Sequence, residues 1–233
     1  KYTGKEVGEI WGFETERYFT WADFTTETRE RKVPFDVNDD GKVDKDETIT
    51  ETYQAITGYV DGVASQKGLE KDKGFIYGPG DIKFKDQNGD GVIDWGDGTK
   101  DNHGDLVKIG NTTPRWQYSF RLGADWKGFD IDLFFQGVGK RDVWSPSAFV
   151  MPLTRGADAI YAWQTDYITE ADYAAHKINQ DAAYPRMYPG NAGQGVPGAN
   201  ITAIGCNNFY PQDKYLMNLA YLRLKNLTVG YTL

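Results

Sequence analysis

The stretch RWQYSFRLGADWKGFDIDLFFQGV, residues 115–138, decides the fold of this 233-residue chain. Apolar and polar residues alternate along it with a period of two, which predicts β-strands with one apolar face. Lys127-Gly128 interrupts the alternation and predicts a two-residue turn, because glycine supplies the positive φ that such turns need. Closing this hairpin predicts four apolar cross-strand pairs on one face: Trp126 with Phe129, Ala124 with Ile131, Leu122 with Leu133, and Phe120 with Phe135.

The length of these strands favours a membrane protein. They are predicted over residues 115–126 and 129–140, longer than most strands of soluble proteins. Strands that cross a bilayer need about 9–11 residues. Trp116 and Trp126 lie at the two ends of the apolar stripe, as the two interfaces of a membrane would select. A soluble sandwich or a large antiparallel sheet also alternates in this way, and that alternative stays open.

Residues 214–233 predict a third long strand. If this strand is continuous, one face carries Tyr221, Arg223, Lys225, Leu227, Val229, Tyr231 and Leu233. A turn at Lys225-Asn226 would leave two strands too short to cross a membrane, so a single strand is favoured. A shorter strand is predicted over residues 5–13.

Two long polar stretches, residues 14–114 and 141–213, separate these strands. Connections of this length are uncommon in compact domains and are usually functional where they are ordered. In the second stretch, four aromatic residues either stack on a ligand such as a sugar or pack the stretch itself: Trp144, Tyr161, Trp163 and Tyr210.

Short helices are predicted inside the two stretches. Apolar residues recur at helical spacing over residues 48–64, at Ile49, Tyr53, Ile56, Val60 and Val63. A second helix is predicted near residues 156–164. Thr169 followed by Asp172 resembles a helix start and predicts a third helix over residues 169–176.

Two segments carry the D-x-N-x-D-G spacing of a calcium loop. The first is DVNDDGKVDKDE at residues 36–47, where Gly41 provides the sharp turn and every ligand position of the pattern is filled. The predicted ligands are Asp36, Asn38, Asp40, the carbonyl of Lys42, Asp44 and Glu47. A set made only of oxygen ligands favours Ca²⁺ over zinc or copper.

The second segment is DQNGDGVIDWGD at residues 86–97. Its predicted ligands are Asp86, Asn88, Asp90, the carbonyl of Val92, Asp94 and Asp97. Asp97 stands where the pattern has glutamate, and its shorter side chain reaches less far. Because Asp, Asn and Gly also favour turns that hold no metal, an acidic turn is the alternative interpretation of both segments.

Charge and composition exclude several classes of function. A formal net charge of −8 disfavours nucleic-acid binding, which needs a basic surface. His103 and His176 lie far apart in the sequence, and no nucleophile, metalloprotease or phosphate-loop motif is present. The acidic residues concentrate in the two calcium-like segments, which leaves a glycosidase pair unsupported. We therefore predict that the chain is not an enzyme.

Three blocks of this sequence together resemble one known family. They are PGDIKFKDQNGDGVID (79–94), IGNTTPRWQYSFRLGADWKGFDIDLFFQGVGKRD (109–142) and YLRLKNLTVGYTL (221–233). Their order and spacing are similar to the C-terminal barrel region of the SusC/RagA-like TonB-dependent transporters of Bacteroidetes. Residues 36–47 and the segment after them look like an insertion relative to a typical member.

The resemblance implies an all-β fold, part of a large antiparallel transmembrane β-barrel with 22 strands in the family and a plugged lumen. Residues 1–233 are then the C-terminal portion of the barrel, with the N-terminal plug and the last strands absent. Residues 14–114 and 141–213 become long extracellular loops that carry short helices. The implied location is the bacterial outer membrane, with these loops facing the cell exterior.

The implied activity is TonB-dependent import of a glycan or oligopeptide nutrient. The implied partners are a SusD-like surface lipoprotein, outer-membrane lipid and, through the absent N-terminal region, the TonB complex. The alternative is a secreted Ca²⁺-dependent binding module, dockerin-like or adhesin, since dockerin repeats share the D-x-N-x-D-G spacing. The long amphipathic strands have no place in such a module.

Overall fold

The computed structural model describes residues 4–39, 41–42, 44, 46–70, 76–147, 149–152, 160–187 and 207–232. These residues are mostly β-sheet, with a single short α-helix among them. The expectation of an all-β chain is confirmed at this level. No helix in the described ranges is long and apolar enough to cross a membrane.

The strands form several small antiparallel sheets. In chain order they are β1 (Glu9–Gly12), β2 (Thr15–Tyr18), β3 (Phe24–Pro34), β4 (Thr48–Tyr59), β5 (Ile82–Phe84), β6 (Val107–Asn111), β7 (Gln117–Trp126), β8 (Phe129–Val138), β9 (Asp142–Val143), β10 (Met217–Asn218) and β11 (Tyr221–Tyr231). The pairs are β1 with β6, β2 with β5, β3 with β4 and β9 with β10, while β7, β8 and β11 form one sheet in the order β11-β8-β7.

The predicted hairpin is present as β7 and β8. Trp126 pairs with Phe129, and the other three predicted pairs also occur in this register. Lys127 and Gly128 have φ values of 49° and 85°. Positive φ at both turn positions is the geometry that matches the right-handed twist of the flanking strands. Two residues that need no long-range contact therefore fix the register of this hairpin.

The third strand has no turn at Lys225-Asn226, as predicted, but it begins at Tyr221 and not at residue 214, and its faces differ from the prediction. Strand β11 pairs with β8 along its whole length, and the register shifts by one residue at Lys225, between Leu224 and Asn226. A bulge of this kind inserts one unpaired residue and reverses which face each side chain occupies beyond it. Tyr221 and Arg223 therefore leave the predicted face. Leu233 lies outside the described residues.

The bulge gives the sheet one continuous apolar face. Opposite Gly137, Phe135, Leu133, Ile131 and Phe129 of β8, strand β11 presents Leu222, Leu224, Leu227, Val229 and Tyr231. The other face of β11 carries Tyr221, Arg223, Asn226, Thr228 and Gly230. If Lys225 paired in regular register and no bulge formed, two of the five apolar side chains would lie on the polar face.

The predicted helix over residues 48–64 is wrong. Residues 48–59 are strand β4, which pairs with β3 in a ribbon that brackets residues 36–47. The spacing of four residues between Ile49 and Tyr53 fits a strand as well as a helix, because four is a multiple of two. The segment TITETYQAIT is also rich in β-branched residues, which favour strands.

The helix predicted over residues 169–176 is confirmed as α1 (Glu170–Ala174). Thr169 caps it: the Asp172 amide donates to Thr169 Oγ1 at 3.1 Å, and the Thr169 amide donates to Asp172 Oδ2 at 2.9 Å. Of the helix predicted near residues 156–164, residues 156–159 lie outside the described part. Residues Ala162–Gln164 form a single 3₁₀ turn.

The two stretches predicted as long loops pack against each other around one hydrophobic core. The core contains Phe13, Tyr18, Phe19, Phe24, Leu69, Tyr77, Ile82, Phe84, Ile93, Ile168, Ala182 and Tyr215. Ile168 and Ala182 come from the second stretch, and most of the others come from the first. We call the described residues of these two stretches, other than the β3–β4 ribbon, the head.

Buried amide side chains connect the segments of the head. Asn208 donates to Asp81 Oδ1 at 2.6 Å and accepts the amide of Ile82 at 2.7 Å. Gln66 accepts the amide of Phe84 at 2.6 Å and donates to the Ile82 carbonyl at 3.1 Å. These side chains satisfy backbone groups of β5 that a longer sheet would otherwise satisfy. The short strand is thereby held between the two stretches.

Deletion of Lys225 tests the role of the bulge. Without this residue, Leu224 precedes Asn226 directly, the two still pair with Phe135 and Phe134, and Leu222 and Leu224 keep the apolar face in regular alternation. We therefore expect the free energy of unfolding to change by no more than about 1 kcal/mol. Chemical denaturation of the intact protein measures this change.

The matched control is deletion of Thr228, which pairs in regular register with Asp132. This deletion forces Val229 and Tyr231 onto the polar face, and we expect a loss of about 2 kcal/mol or more in free energy of unfolding. Equal losses in the two deletions would show that Lys225 is not the unpaired residue of the bulge.

Candidate functional site

The first candidate functional surface is the apolar face of the β11-β8-β7 sheet. Leu122, Leu133 and Leu227 pair across all three strands and form a row at mid-length. Leu122 is 54% exposed and Leu227 is 58% exposed, so neither packs against a described neighbour as a core residue would. A contiguous apolar surface of this size marks a contact with lipid or protein.

Aromatic side chains lie at both ends of this face. Trp126, Phe129 and Tyr231 cluster at the turn, where the Phe129 and Tyr231 ring centroids are 4.5 Å apart. Tyr118 and exposed Trp116 lie at the opposite end. Rings that are apolar on the face and polar at one edge suit a boundary between apolar and aqueous surroundings.

The opposite face of the same sheet is polar. Arg121 Nε donates to Asp132 Oδ1 at 2.9 Å across the β7–β8 pair. Arg223 reaches Gln136 at 3.4 Å across the β11–β8 pair. Phe134 and Tyr221 are the aromatic residues of this face, among charged and amide side chains. The sheet therefore has one apolar face and one polar face.

The first calcium-like segment, residues 36–47, forms the tip of the β3–β4 ribbon. Asp36 Oδ2 accepts the amide of Gly41 at 2.8 Å, and Glu47 Oε2 accepts the amide of Asp44 at 3.0 Å. Gly41 has φ of 82°, which is the sharp turn that the pattern requires. The structure therefore places the first and last predicted ligands at the base of the tip. Asn38 and Lys42 lie exposed within it, and Asp40 lies outside the described residues.

The second segment, residues 86–97, forms a network of Asx turns. The two carboxylate oxygens of Asp86 accept the amides of Gly89 at 2.6 Å and Gly91 at 2.9 Å. Asn88 accepts the amide of Asp90 at 2.9 Å, and Asp90 accepts that of Val92 at 2.8 Å. The first three predicted side-chain ligands are thus oriented by the backbone of their own turn.

The later predicted ligands of this segment bind backbone amides on their own C-terminal side. Asp94 accepts the amide of Gly96 at 2.6 Å. Asp97 accepts the amide of Thr99 at 2.9 Å, and hydrogen bonds from Thr99 hold the pKa of Asp97 below its usual range. Among the described residues, no group of three or more His, Cys, Asp or Glu side chains is arranged to hold a metal ion. Ca²⁺ also binds amide and carbonyl oxygens, so calcium binding stays a prediction.

Asp105 organises the second segment, and no sequence motif identified it. Its carboxylate is completely buried and accepts the amides of Gln87 and Asp94, each at 2.8 Å. Burial raises the pKa of Asp105, and the nearby charges of Asp86 and Asp90 raise it further. Asp105 therefore joins the two ends of the turn with a carboxylate that is costly to bury without partners.

A cavity of about 560 Å³ lies beside this segment. Asp86, Gly89 and Gly91 line one side, and Tyr59, Asp61 and Lys83 contribute from the ribbon base and β5. Ser65 binds the same turn through its backbone: its amide donates to the Gly91 carbonyl at 2.8 Å, and its carbonyl accepts the Ile93 amide at 2.9 Å. The turn is thus fixed to the head on two sides.

No protein-family model and no curated protein matches this chain.

Asp105→Ala tests the importance of the buried carboxylate. The substitution leaves two backbone amides without an acceptor inside the head, and we expect a loss of about 2–3 kcal/mol in free energy of unfolding. The measurement is denaturant unfolding of the intact protein at neutral pH. Asp101→Ala is the control, because Asp101 is an exposed acid of the same connection. Similar stability of the two variants would contradict the role assigned to Asp105.

Proposed function

We propose that this chain is part of an outer-membrane β-barrel that imports a nutrient, a glycan or an oligopeptide, in a TonB-dependent manner. The observation that carries the proposal is the sheet of β7, β8 and β11, whose exposed apolar face is continuous and whose other face is polar. A barrel that crosses a bilayer presents this arrangement, with lipid on one side and an aqueous lumen on the other.

Strand length supports the same proposal. Strands β7, β8 and β11 contain 10, 10 and 11 residues. A tilted strand of about 9–11 residues spans the hydrocarbon core of a bilayer. The aromatic residues near both ends of the apolar face match the girdles at the two membrane interfaces. The leucine row lies between them, at the level of the bilayer centre.

The sheet edges support the presence of further strands. Within the described part of the chain, β7 and β11 each pair on one side only. Long apolar edge strands promote aggregation unless another strand covers them, and a closed barrel removes such edges altogether. In the family that the sequence resembles, 22 strands close the barrel around a plug. We propose that this chain contributes three of these strands.

In this proposal the head and the ribbon lie outside the cell. Both leave the sheet at the end opposite the tight Lys127-Gly128 turn. Outer-membrane barrels place short turns in the periplasm and long loops outside. The head would then border the extracellular vestibule, where a SusD-like surface lipoprotein meets the barrel, and the TonB complex would act from the periplasmic side through the N-terminal region.

A pair of adjacent substitutions tests the proposal. Leu227→Arg places a charge on the apolar face at mid-strand, while Thr228→Arg places the same charge one residue further on the polar face. A charge at the bilayer centre costs a lipid-facing position about 2–4 kcal/mol, and a lumen position much less. The readout is the amount of the unsubstituted protein and of each variant that is recovered from the detergent-extracted outer membrane of the native source.

We expect the parent protein and Thr228→Arg in the outer-membrane fraction, together with a lipoprotein partner, and a strong reduction for Leu227→Arg. Recovery of a soluble protein that folds without detergent and tolerates both substitutions would refute the barrel. That result would favour the secreted Ca²⁺-dependent binding module instead.

We further propose that Ca²⁺ binds residues 36–47 and 86–97 and stiffens these turns before they contact cargo or the SusD-like lipoprotein, which reduces the ordering cost of binding. Calcium that binds only the folded state should raise the melting temperature of the intact protein. Asp36→Asn and Asp86→Asn each keep an acceptor for the turn while removing a charge, so each should lower the calcium stoichiometry by one. Isothermal titration measures this stoichiometry.

Mg²⁺ is the matched control ion, because it demands a smaller octahedral site and should bind these loops more weakly. Unchanged calcium stoichiometry in both variants would assign the ion elsewhere. Absence of calcium binding in the parent protein would leave both segments as acidic turns held by their own backbone.

A further inference from the structure

Three aromatic rings stack on the outside of the head. The ring centroid of Tyr161 lies 4.9 Å from that of Phe149 and 4.7 Å from that of Trp163. The three ring planes are within 20° of parallel. Trp163 Nε1 donates to the Phe149 carbonyl at 3.3 Å, which fixes the orientation of the indole. We call Phe149, Tyr161 and Trp163 the aromatic platform.

The platform is exposed although its neighbours are packed. Phe149 and Trp163 are each 59% exposed. Trp144 and Tyr210, the other two candidates from the same stretch, pack against the hydrophobic core of the head instead. Of the four aromatic residues singled out in this stretch, two pack the core and two belong to the platform. Packing of the head therefore does not account for the platform. Lipid does not account for it either, because the platform belongs to the head and not to the sheet.

The size of the platform argues against a protein partner. A fully exposed aromatic side chain presents about 150–250 Å², so the three partly exposed rings offer on the order of 300 Å². A stable protein interface buries about 800 Å² on each partner. The platform matches a ligand the size of one or two small rings.

The chemistry of the platform selects among ring-shaped ligands. Parallel ring faces are electron-rich and attract flat groups that present slightly positive C–H bonds. One face of a pyranose sugar is such a group. Nucleotides would also stack, but their phosphates are repelled by a chain whose formal net charge is −8. We propose that the aromatic platform binds a pyranose ring of a neutral oligosaccharide.

This inference rests on the proposed function and deepens it, because it selects a glycan over an oligopeptide as the cargo. The binding measurement does not require a membrane or transport. If the platform binds no saccharide, the barrel proposal is unaffected. If the protein proves to be soluble, saccharide binding by the platform can still be tested.

The experiment titrates the intact parent protein with neutral hexasaccharides by calorimetry. The probes are cellohexaose, maltohexaose and mannohexaose, with an uncharged hexapeptide as the competing cargo class. We expect at least one saccharide to bind. Trp163→Ala and Phe149→Ala should each weaken that binding about tenfold or more, while Trp163→Tyr, which keeps a ring face, should retain most of it.

Ile160→Ala is the matched control. Ile160 is exposed and lies next to Tyr161 in the sequence, but it has no ring face. Stacking on a sugar predicts unchanged affinity in this variant, whereas general apolar docking predicts a loss. Unfolding curves establish that all variants fold. The proposal is overturned if no saccharide binds at concentrations up to about 10 mM, or if Trp163→Ala binds the saccharide as tightly as the unsubstituted protein. It is also overturned if only the hexapeptide binds and its binding depends on the platform.

Discussion

The apolar face of the β11-β8-β7 sheet must be removed from water, and this constraint governs the rest of the structure. Burying one large apolar side chain contributes roughly 1.5–3 kcal/mol. The face presents Leu122, Leu224, Leu227 and Val229 largely exposed, with aromatic residues at both ends. Hydrogen bonds between strands do not compensate for this exposure, because they lie in the plane of the sheet. A surrounding apolar phase or a partner of equal extent has to cover it.

The head obeys a different constraint, because both long stretches contribute residues to its one core. Each contributes part of one core, and buried amides such as Gln66 and Asn208 complete the hydrogen bonding of the short strands between them. Such a core depends on contacts distant in sequence. The head is therefore an ordered unit that joins the connections of the sheet, and it holds the aromatic platform and the second acidic turn in fixed positions.

The sequence predicts what depends on local pattern and fails where distant contacts decide. The hairpin register follows from alternation and the Lys127-Gly128 turn. The bulge at Lys225 had a signal, because apolar residues fall on even positions before it, at Leu222 and Leu224, and on odd positions after it, at Leu227 and Val229. The strand at 48–59 was mistaken for a helix because its apolar residues recur at intervals of four and three, although its β-branched residues favour a strand. The role of Asp105 could not be predicted from the sequence, because it depends on the fold bringing the amides of Gln87 and Asp94 to one carboxylate.

The two calcium-like segments share a sequence pattern but differ in what supports them. Residues 86–97 are held from one side by Asp105 and from the other by Ser65, so the ordering cost of this turn is met by the folding of the head. Residues 36–47 close on themselves through Asp36 and Glu47 at the end of a two-stranded ribbon, and a ribbon of two strands is marginally stable alone. A cation at the second turn would bind a site already organised, with little change in shape. At the ribbon tip, the turn is held by its own residues, so binding of the same ion would make residues 36–47 more rigid.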